Sequence, residues 1–196
     1  MIERRASRRG QQLVYASWAL VVVVLASRPA AATTDDELPE IFRAGTLEII
    51  DPWAKSAIGD THEAKVFFEF RNHAAAADRL TTVRTTIASG PNQLREVAQT
   101  AQPTHWRVVQ AIELPVEPAD GVPFELSEHG YYIVLSGLTV PLTMGKQFPL
   151  ELEFRHAGRV TVNVTSRFHS PKLIRRIRAA AARGDIEALK QLGAGP

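Results

Sequence analysis

The side chains of this sequence that could hold a soft metal or move a proton are six histidines (His62, His73, His105, His129, His156 and His169) and the thioether of Met144. The sequence contains no cysteine. Thiolate metal sites, thiol redox chemistry and cysteine nucleophiles are therefore excluded. No histidine pair lies in the H-E-x-x-H spacing that puts two ligands on one helical face. No serine lies in a strand-turn-helix elbow, and no glycine-rich loop is built to cradle a phosphate. Glu151 and Glu153 fall at the outward positions of an alternating run, where solvation accounts for them. These residues form no catalytic constellation, and the chain reads as a non-enzyme. Each histidine reads first as a surface or hydrogen-bonded side chain, and His156 as a solvated turn residue.

The elements that would position such groups are mostly strands. Leu47–Ile50, Val66–Arg71, Leu80–Ile87, Trp106–Ile112, Tyr131–Leu135, Leu150–Phe154 and Val160–Val164 are short runs rich in Val, Ile, Thr and aromatics. Asp51-Pro52, Gly59-Asp60, Gly90-Pro91-Asn92, the stretch from Pro118 to Gly121, Gly145 and Ala157-Gly158 separate them. Val66, Phe68 and Phe70 alternate with Phe67, Glu69 and Arg71. Leu150, Leu152 and Phe154 alternate with Glu151, Glu153 and Arg155, and Val160, Val162 and Val164 answer them across a turn. Period-two alternation marks strands with one buried face. Seven to nine such strands, with no crossover helices between them, imply an all-β antiparallel sandwich.

The pattern changes after Phe168. Ser170-Pro171 reads as a helix start, serine as cap and proline in the first turn. Leu173, Ile174, Ile177, Ala180 and Ala181 share one helical face. Gly184-Asp185 ends that helix and caps another carrying Ile186, Leu189 and Leu192. The result is a short C-terminal α-helical hairpin, faintly similar to a single ankyrin repeat. Its apolar stripe (Leu173, Ile177, Ile186, Leu189) needs a surface to cover it. Its basic face (Arg175, Arg176, Arg178, Lys190) suits an acidic protein patch or anionic lipid headgroups.

The first 32 residues stand apart. Arg4, Arg5, Arg8 and Arg9 precede an apolar run from Leu13 to Ala26 and the small-residue exit Ala30-Ala31-Ala32. Those are the three parts of a secretory signal, and the run is shorter than the roughly 20 residues needed to span a bilayer. The expected organisation is a signal peptide over 1–32, a polar lead-in over 33–46, a sandwich over 47–167 and a helical tail over 168–196. Without residues 1–32 the chain carries 18 basic and 20 acidic side chains. Of these, residues 33–167 carry 12 basic and 18 acidic, and residues 168–196 carry six and two. A nucleic-acid footprint would need a basic face on the folded body, so nucleic-acid binding is not expected. Location in the periplasm follows, with membrane contact confined to the signal region or the basic tail.

Residues 47–165 resemble the periplasmic copper chaperone family called PCu(A)C. The likeness is carried by Ile50-Asp51-Pro52-Trp53-Ala54-Lys55, Val66–Asn72, Asp78-Arg79-Leu80, Ile112-Glu113-Leu114-Pro115, and the run Gly130-Tyr131-Tyr132-Ile133-Val134-Leu135-Ser136-Gly137-Leu138. Pro141-Leu142, Gly145 and the closing hairpin from Leu150 to Val164 complete it. The resemblance implies a Greek-key, cupredoxin-like fold. It also implies a Cu(I) site of the pattern His-x10-Met-x21-His-x-Met, since thioether and imidazole suit that soft ion. Here the four ligand positions correspond to Arg95, Trp106, Tyr132 and Val134, with an insertion of about four residues around Glu117 to Gly121 lengthening one interval. Arginine repels a cation, valine has no donor atom, and an indole N–H can only donate. Copper as a cofactor would then be bound weakly or through displaced ligands, for which His105 and His129 lie nearest. The implied roles are copper handling or oxidase assembly with the usual site lost, or a metal-independent module that binds an envelope protein through the sandwich surface and the tail (Leu173, Arg175, Arg176, Ile177, Leu189).

Overall fold

A computed structural model describes residues 38–55, 62–97 and 105–193. The expected signal peptide and residues 33–37 of the lead-in lie outside the described residues. The strands are β1 (Ile41–Ala44), β2 (Leu47–Lys55), β3 (Glu63–Asn72), β4 (Asp78–Arg84), β5 (Gln93–Val97), β6 (Trp106–Val109), β7 (Ile112–Leu114), β8 (Phe124–Glu125), β9 (Tyr131–Ser136), β10 (Gln147–Phe154) and β11 (Gly158–Arg167). Two helices follow, α1 (Pro171–Ala182) and α2 (Ile186–Gln191). The strands run in the order β6-β5-β9-β3-β2-β11-β10-β4-β7, with β1 on β2 and β8 on β3. The all-β class and the helical hairpin are as expected.

The alternation read from the sequence sets the inside. Val66, Phe68 and Phe70 of β3 and Phe148, Leu150, Leu152 and Phe154 of β10 are all buried in one core. Val162 and Val164 of β11 join them. Phe70 meets Phe68 and Phe154 edge to face, with ring centroids 4.7 and 5.8 Å apart, the geometry that ring quadrupoles favour.

Three strand expectations need correction. Eleven strands are present among the described residues, because β1, β5 and β8 lacked a strong apolar signal and Trp106–Ile112 splits into β6 and β7. One ladder is parallel: Thr165, Ser166 and Arg167 of β11 pair with Trp53, Ala54 and Lys55 of β2. Asp51-Pro52 does not end β2 but makes a bulge in it, where the register with β3 shifts and Asp51 takes φ 49°. A bulge adds a residue without ending the ladder.

Buried polar groups hold the loops to this frame. The Asp78 carboxylate accepts from the backbone N–H groups of His156 and Ala157, both at 2.9 Å, and so closes the β10–β11 turn. His156 is thus held through its backbone. The Asn72 side chain donates to the carbonyls of Ala76 and Leu114 and accepts from Ala74 N–H. Ser170 caps α1 by accepting from Leu173 N–H at 3.2 Å, and Asp185 caps α2 by accepting from Ala188 N–H at 3.0 Å. Both helix starts are as read from the sequence.

Replacing Phe68, 1% exposed, with Ala should cost about 3–5 kcal/mol. Asp78→Ala should cost about 1–3 kcal/mol by removing the buried carboxylate that accepts from both turn N–H groups. Denaturant unfolding of the two variants checks both, and a Phe68→Ala loss below about 1 kcal/mol would contradict the packing.

Candidate functional site

The outer face of the sheet carries a second apolar cluster. On β3, β9 and β2, the outward positions Phe67, Tyr132, Val134 and Trp53 pack together, with Val97 of β5 beside them. Phe67, Tyr132 and Val134 are each less than 5% exposed. The Trp53 and Phe67 rings lie 4.8 Å apart, and the Lys65 ammonium sits 5.3 Å from the Tyr132 ring centroid. Strand β9 is therefore buried on both faces, and β3 is so at Phe67.

Arg95, on β5, borders this cluster on its β6 side. It pairs with Tyr132 across β9 and with Val108 across β6. Its guanidinium carbon stands 3.8 Å from the centroid of the Trp106 ring, a cation–π contact strengthened by the exclusion of water. The Nε–H donates to Gln93 Oε1 at 2.9 Å, and an Nη lies 3.7 Å from Glu63 Oε1. The side chain is 10% exposed. Trp106 and Val108 remain about half exposed at 49% and 52%, so the stripe opens to solvent at its β6 end.

Arg95, Trp106 and Tyr132 are thus brought together, and Val134 follows Tyr132 on the same face of β9. The two other named candidates, His105 and His129, are both exposed. His105 precedes Trp106, which pairs with Val97, and His129 precedes Gly130, whose carbonyl accepts from Val97 N–H. Both therefore flank the same end of β5, on opposite sides of it. Among the described residues, no group of three or more His, Asp or Glu side chains is placed to hold a metal. His73 lies between Glu117, at 2.7 Å, and Glu48, at 3.4 Å. Met144 is 66% exposed.

On the other side of β5 and β6, Glu96 accepts from Arg107 Nε at 2.7 Å and from the Tyr131 hydroxyl at 2.9 Å. Arg107, then Tyr131, holds the Glu96 carboxyl below the usual range, while Glu96 raises the Tyr131 hydroxyl. Glu151 and Glu153 are not merely solvated: Arg84 reaches both at 2.9 Å, and Arg159 reaches Glu153 at 3.1 Å.

In the tail, Leu173, Ile177 and Leu189 are half-buried, Ile186 is exposed and Arg176 is exposed. Arg175 differs from its expected place on an outward basic face. It pairs with Asp51 of the sandwich, and Lys172 pairs with Glu125 and Glu69.

Sequence reasoning missed Trp53, Gln93, Val97 and Glu63 as members of the outer face. The available signal was apolar residues at outward positions, Phe67 on β3 and Tyr132 and Val134 on β9, which alternation alone assigns to solvent.

The family model described as "Putative lipoprotein LpqE-like" matches residues 47–166. A search of curated proteins returns no match. Among solved structures, the copper-bound PCuAC domain from PmoF2 is 20% identical over 65% of this chain and 97% of its own, with a TM-score of 0.55. The apo PCuAC domain from PmoF1 is 19% identical over 65% and 98%, with a TM-score of 0.54. The CuI form of DR1885 from Deinococcus radiodurans is 15% identical over 66% and 82%, with a TM-score of 0.50. At such identities the fold is what is shared, and it is the cupredoxin-like fold expected.

The carboxylates of Glu48, Glu96 and Glu153 are all lowered, chiefly by Arg43, Arg107 and Arg84 respectively. A lowered folded value means stability that is complete above the ordinary glutamate value of about 4.3 and is lost as pH falls through the folded value. Thermal stability should therefore decline below about pH 4.3. Glu96→Gln should remove less than about 1 kcal/mol at neutral pH, since its partner Arg107 is exposed, and should flatten the acid limb. A melting temperature that rises on acidification would contradict the pairing.

Proposed function

We propose that this chain, which belongs to the LpqE-like family, is an exported protein-binding module of the cell envelope, built on a copper-chaperone scaffold whose usual Cu(I) position has become an arginine–aromatic face. The observation that carries this reading is the Arg95 guanidinium stacked 3.8 Å from the Trp106 ring, directly across from Tyr132. At the four positions implied by the resemblance, the donor set does not fit Cu(I). Arg95 brings a fixed positive charge, Val134 brings no donor, Trp106 brings an N–H without a lone pair to give, and Tyr132 brings a hard oxygen ligand where a soft one is wanted. Arg, Trp and Tyr are the residue types that dominate the energetics of protein interfaces, and the half-exposed Trp106 and Val108 give a partner access to them.

The likeness to copper-chaperone domains supports a place beside copper handling or oxidase assembly, in which this chain recognises a protein and performs no catalysis of its own. The basic, apolar and small-residue segments of residues 1–32 support export to the periplasm. The family description names a lipoprotein, and a thioether-linked lipid needs a cysteine, which none of these 196 residues supplies. Among the described residues no helix is long and apolar enough to cross a membrane. With no cysteine to carry the lipid, export by a cleaved signal fits these residues better than lipid anchoring through them.

A second reading, copper held by displaced ligands, rests on His105 and His129 flanking the same end of β5. Competition titration of the exported protein with Cu(I) separates the two. Loss of outer-shell partners alone weakens metal binding about 10–100-fold, so loss of all four donors should weaken it by more than about 100-fold relative to a variant carrying Arg95→His, Trp106→Met, Tyr132→His and Val134→Met. Native affinity equal to that variant's would sink the proposal. Abolition of that affinity by His105→Ala or His129→Ala would establish the displaced site.

Export makes a separate prediction. The mature protein recovered from the envelope should begin near Ala32 when its mass is measured. An intact Met1 terminus on that protein would contradict a cleaved signal.

A further inference from the structure

The start of α1 fills a groove on the sandwich. Pro171 is buried against a floor that includes Ile50, Phe68 and Leu126, with about 10 Å³ of free volume left around it. Three carboxylates stand on the rim: Asp51 on β2, Glu69 on β3 and Glu125 on β8. Lys172 reaches Glu125 at 3.0 Å and Glu69 at 3.3 Å, and Arg175 bonds Asp51. Residues 172 and 175 are three apart and so share one helical face. A single turn of helix thus presents a proline to the floor and two cations to the rim.

The acceptor side is fixed by the sandwich itself. Asp51 is 9% exposed, sits at the β2 bulge with φ 49°, and also accepts from Glu40 N–H at 2.9 Å. A non-glycine residue in that region needs surrounding structure to hold it. Glu69 belongs to a core strand and is 15% exposed as a side chain. The groove and its charges are therefore set by β2, β3 and β8, whereas the occupant belongs to the helical hairpin that follows β11. The Lys172–Glu125 pair is half-exposed, each side chain 44% exposed, whereas Arg175 and Asp51 are 26% and 10% exposed; contacts of the first kind weaken most as salt shortens the screening length.

We propose that this acid-rimmed groove is a docking site for a basic, proline-led helix start, occupied in cis by the chain's own tail and available to the matching segment of a partner protein when the tail lets go. The partner's chemistry is dictated by the groove: a small rigid apolar residue at the first helical position, and cations one and four residues after it. The proposal rests on the tail contacts and stands whether or not the outer face around Arg95 holds copper.

The test uses the full exported chain and a labelled peptide of residues 168–193. In the variant carrying Lys172→Glu and Arg175→Glu, the chain's own tail is repelled by the rim and the groove is open. The peptide should bind this variant at least about ten-fold more tightly than it binds the native chain, and the binding should fade as salt rises from about 0.01 M to about 1 M, where the screening length falls from about 30 Å to about 3 Å. Equal binding to the two chains, or none to a variant that melts like the native protein, overturns the proposal. Should the variant not fold, hydrogen exchange on the native chain decides. The amides of 172–182 should lose protection over the same salt range while those of β3 and β10 keep theirs, and protection of the tail that does not change with salt overturns it.

Discussion

Strand β9, and β3 at Phe67, bury side chains on both faces, and the outer site is arranged around that double burial. Their inward residues build the common core with β10 and β11. Their outward residues Phe67, Tyr132 and Val134 are as dry as the core itself. An outward apolar patch on neighbouring strands has to be covered: Trp53 of β2 and Val97 of β5 pack against it, Lys65 of β3 lies over the Tyr132 ring, and Arg95 of β5 sits directly across from Tyr132. The stack of Arg95 on Trp106 follows from this, because a guanidinium can lie flat on an indole and carry its charge next to an apolar surface at less cost than an ammonium. The half-exposed β6 end then becomes the place where the cluster meets solvent.

The inside of this sandwich was legible because it is periodic. Val66, Phe68 and Phe70, and the β10–β11 hairpin, alternate strongly enough that period two assigns their faces without further help. Strand β5 was not legible: in Gln93–Val97 the inward positions are Leu94 and Glu96, so one apolar residue must stand for the whole strand. Asp51-Pro52 misled for a different reason. Those residue types usually stop strands, but a bulge allows β2 to pass through them and keep pairing to Lys55. The parallel β11–β2 ladder has no local signal at all, since it joins segments more than 100 residues apart.

The site divided in the same way. The resemblance brought Arg95, Trp106, Tyr132 and Val134 together from three separate segments, and the strand pairing places the first three in one stack with Val134 next on the same strand. Their neighbours Trp53, Gln93 and Glu63 are added by register, which a linear reading lacks. The tail shows the limit from the other side. Its caps at Ser170 and Asp185 are local and were readable, whereas the pairing of Arg175 with Asp51 depends on a bulge 124 positions away and turns a residue of the expected outward face toward its own sandwich.

At the copper position implied by the resemblance, the proposed function rests on an arginine–aromatic stack that leaves no place for Cu(I). The most direct measurement is a residue-resolved NMR titration of the exported protein with Cu(I), following the Arg95 Nε–H, the Trp106 indole N–H and the ring signals of His105 and His129. The Arg95 and Trp106 resonances should stay where they are, with at most weak, non-saturating shifts at the exposed histidines. Saturable shifts of Arg95, Trp106 and Tyr132 at one equivalent of Cu(I) would contradict it.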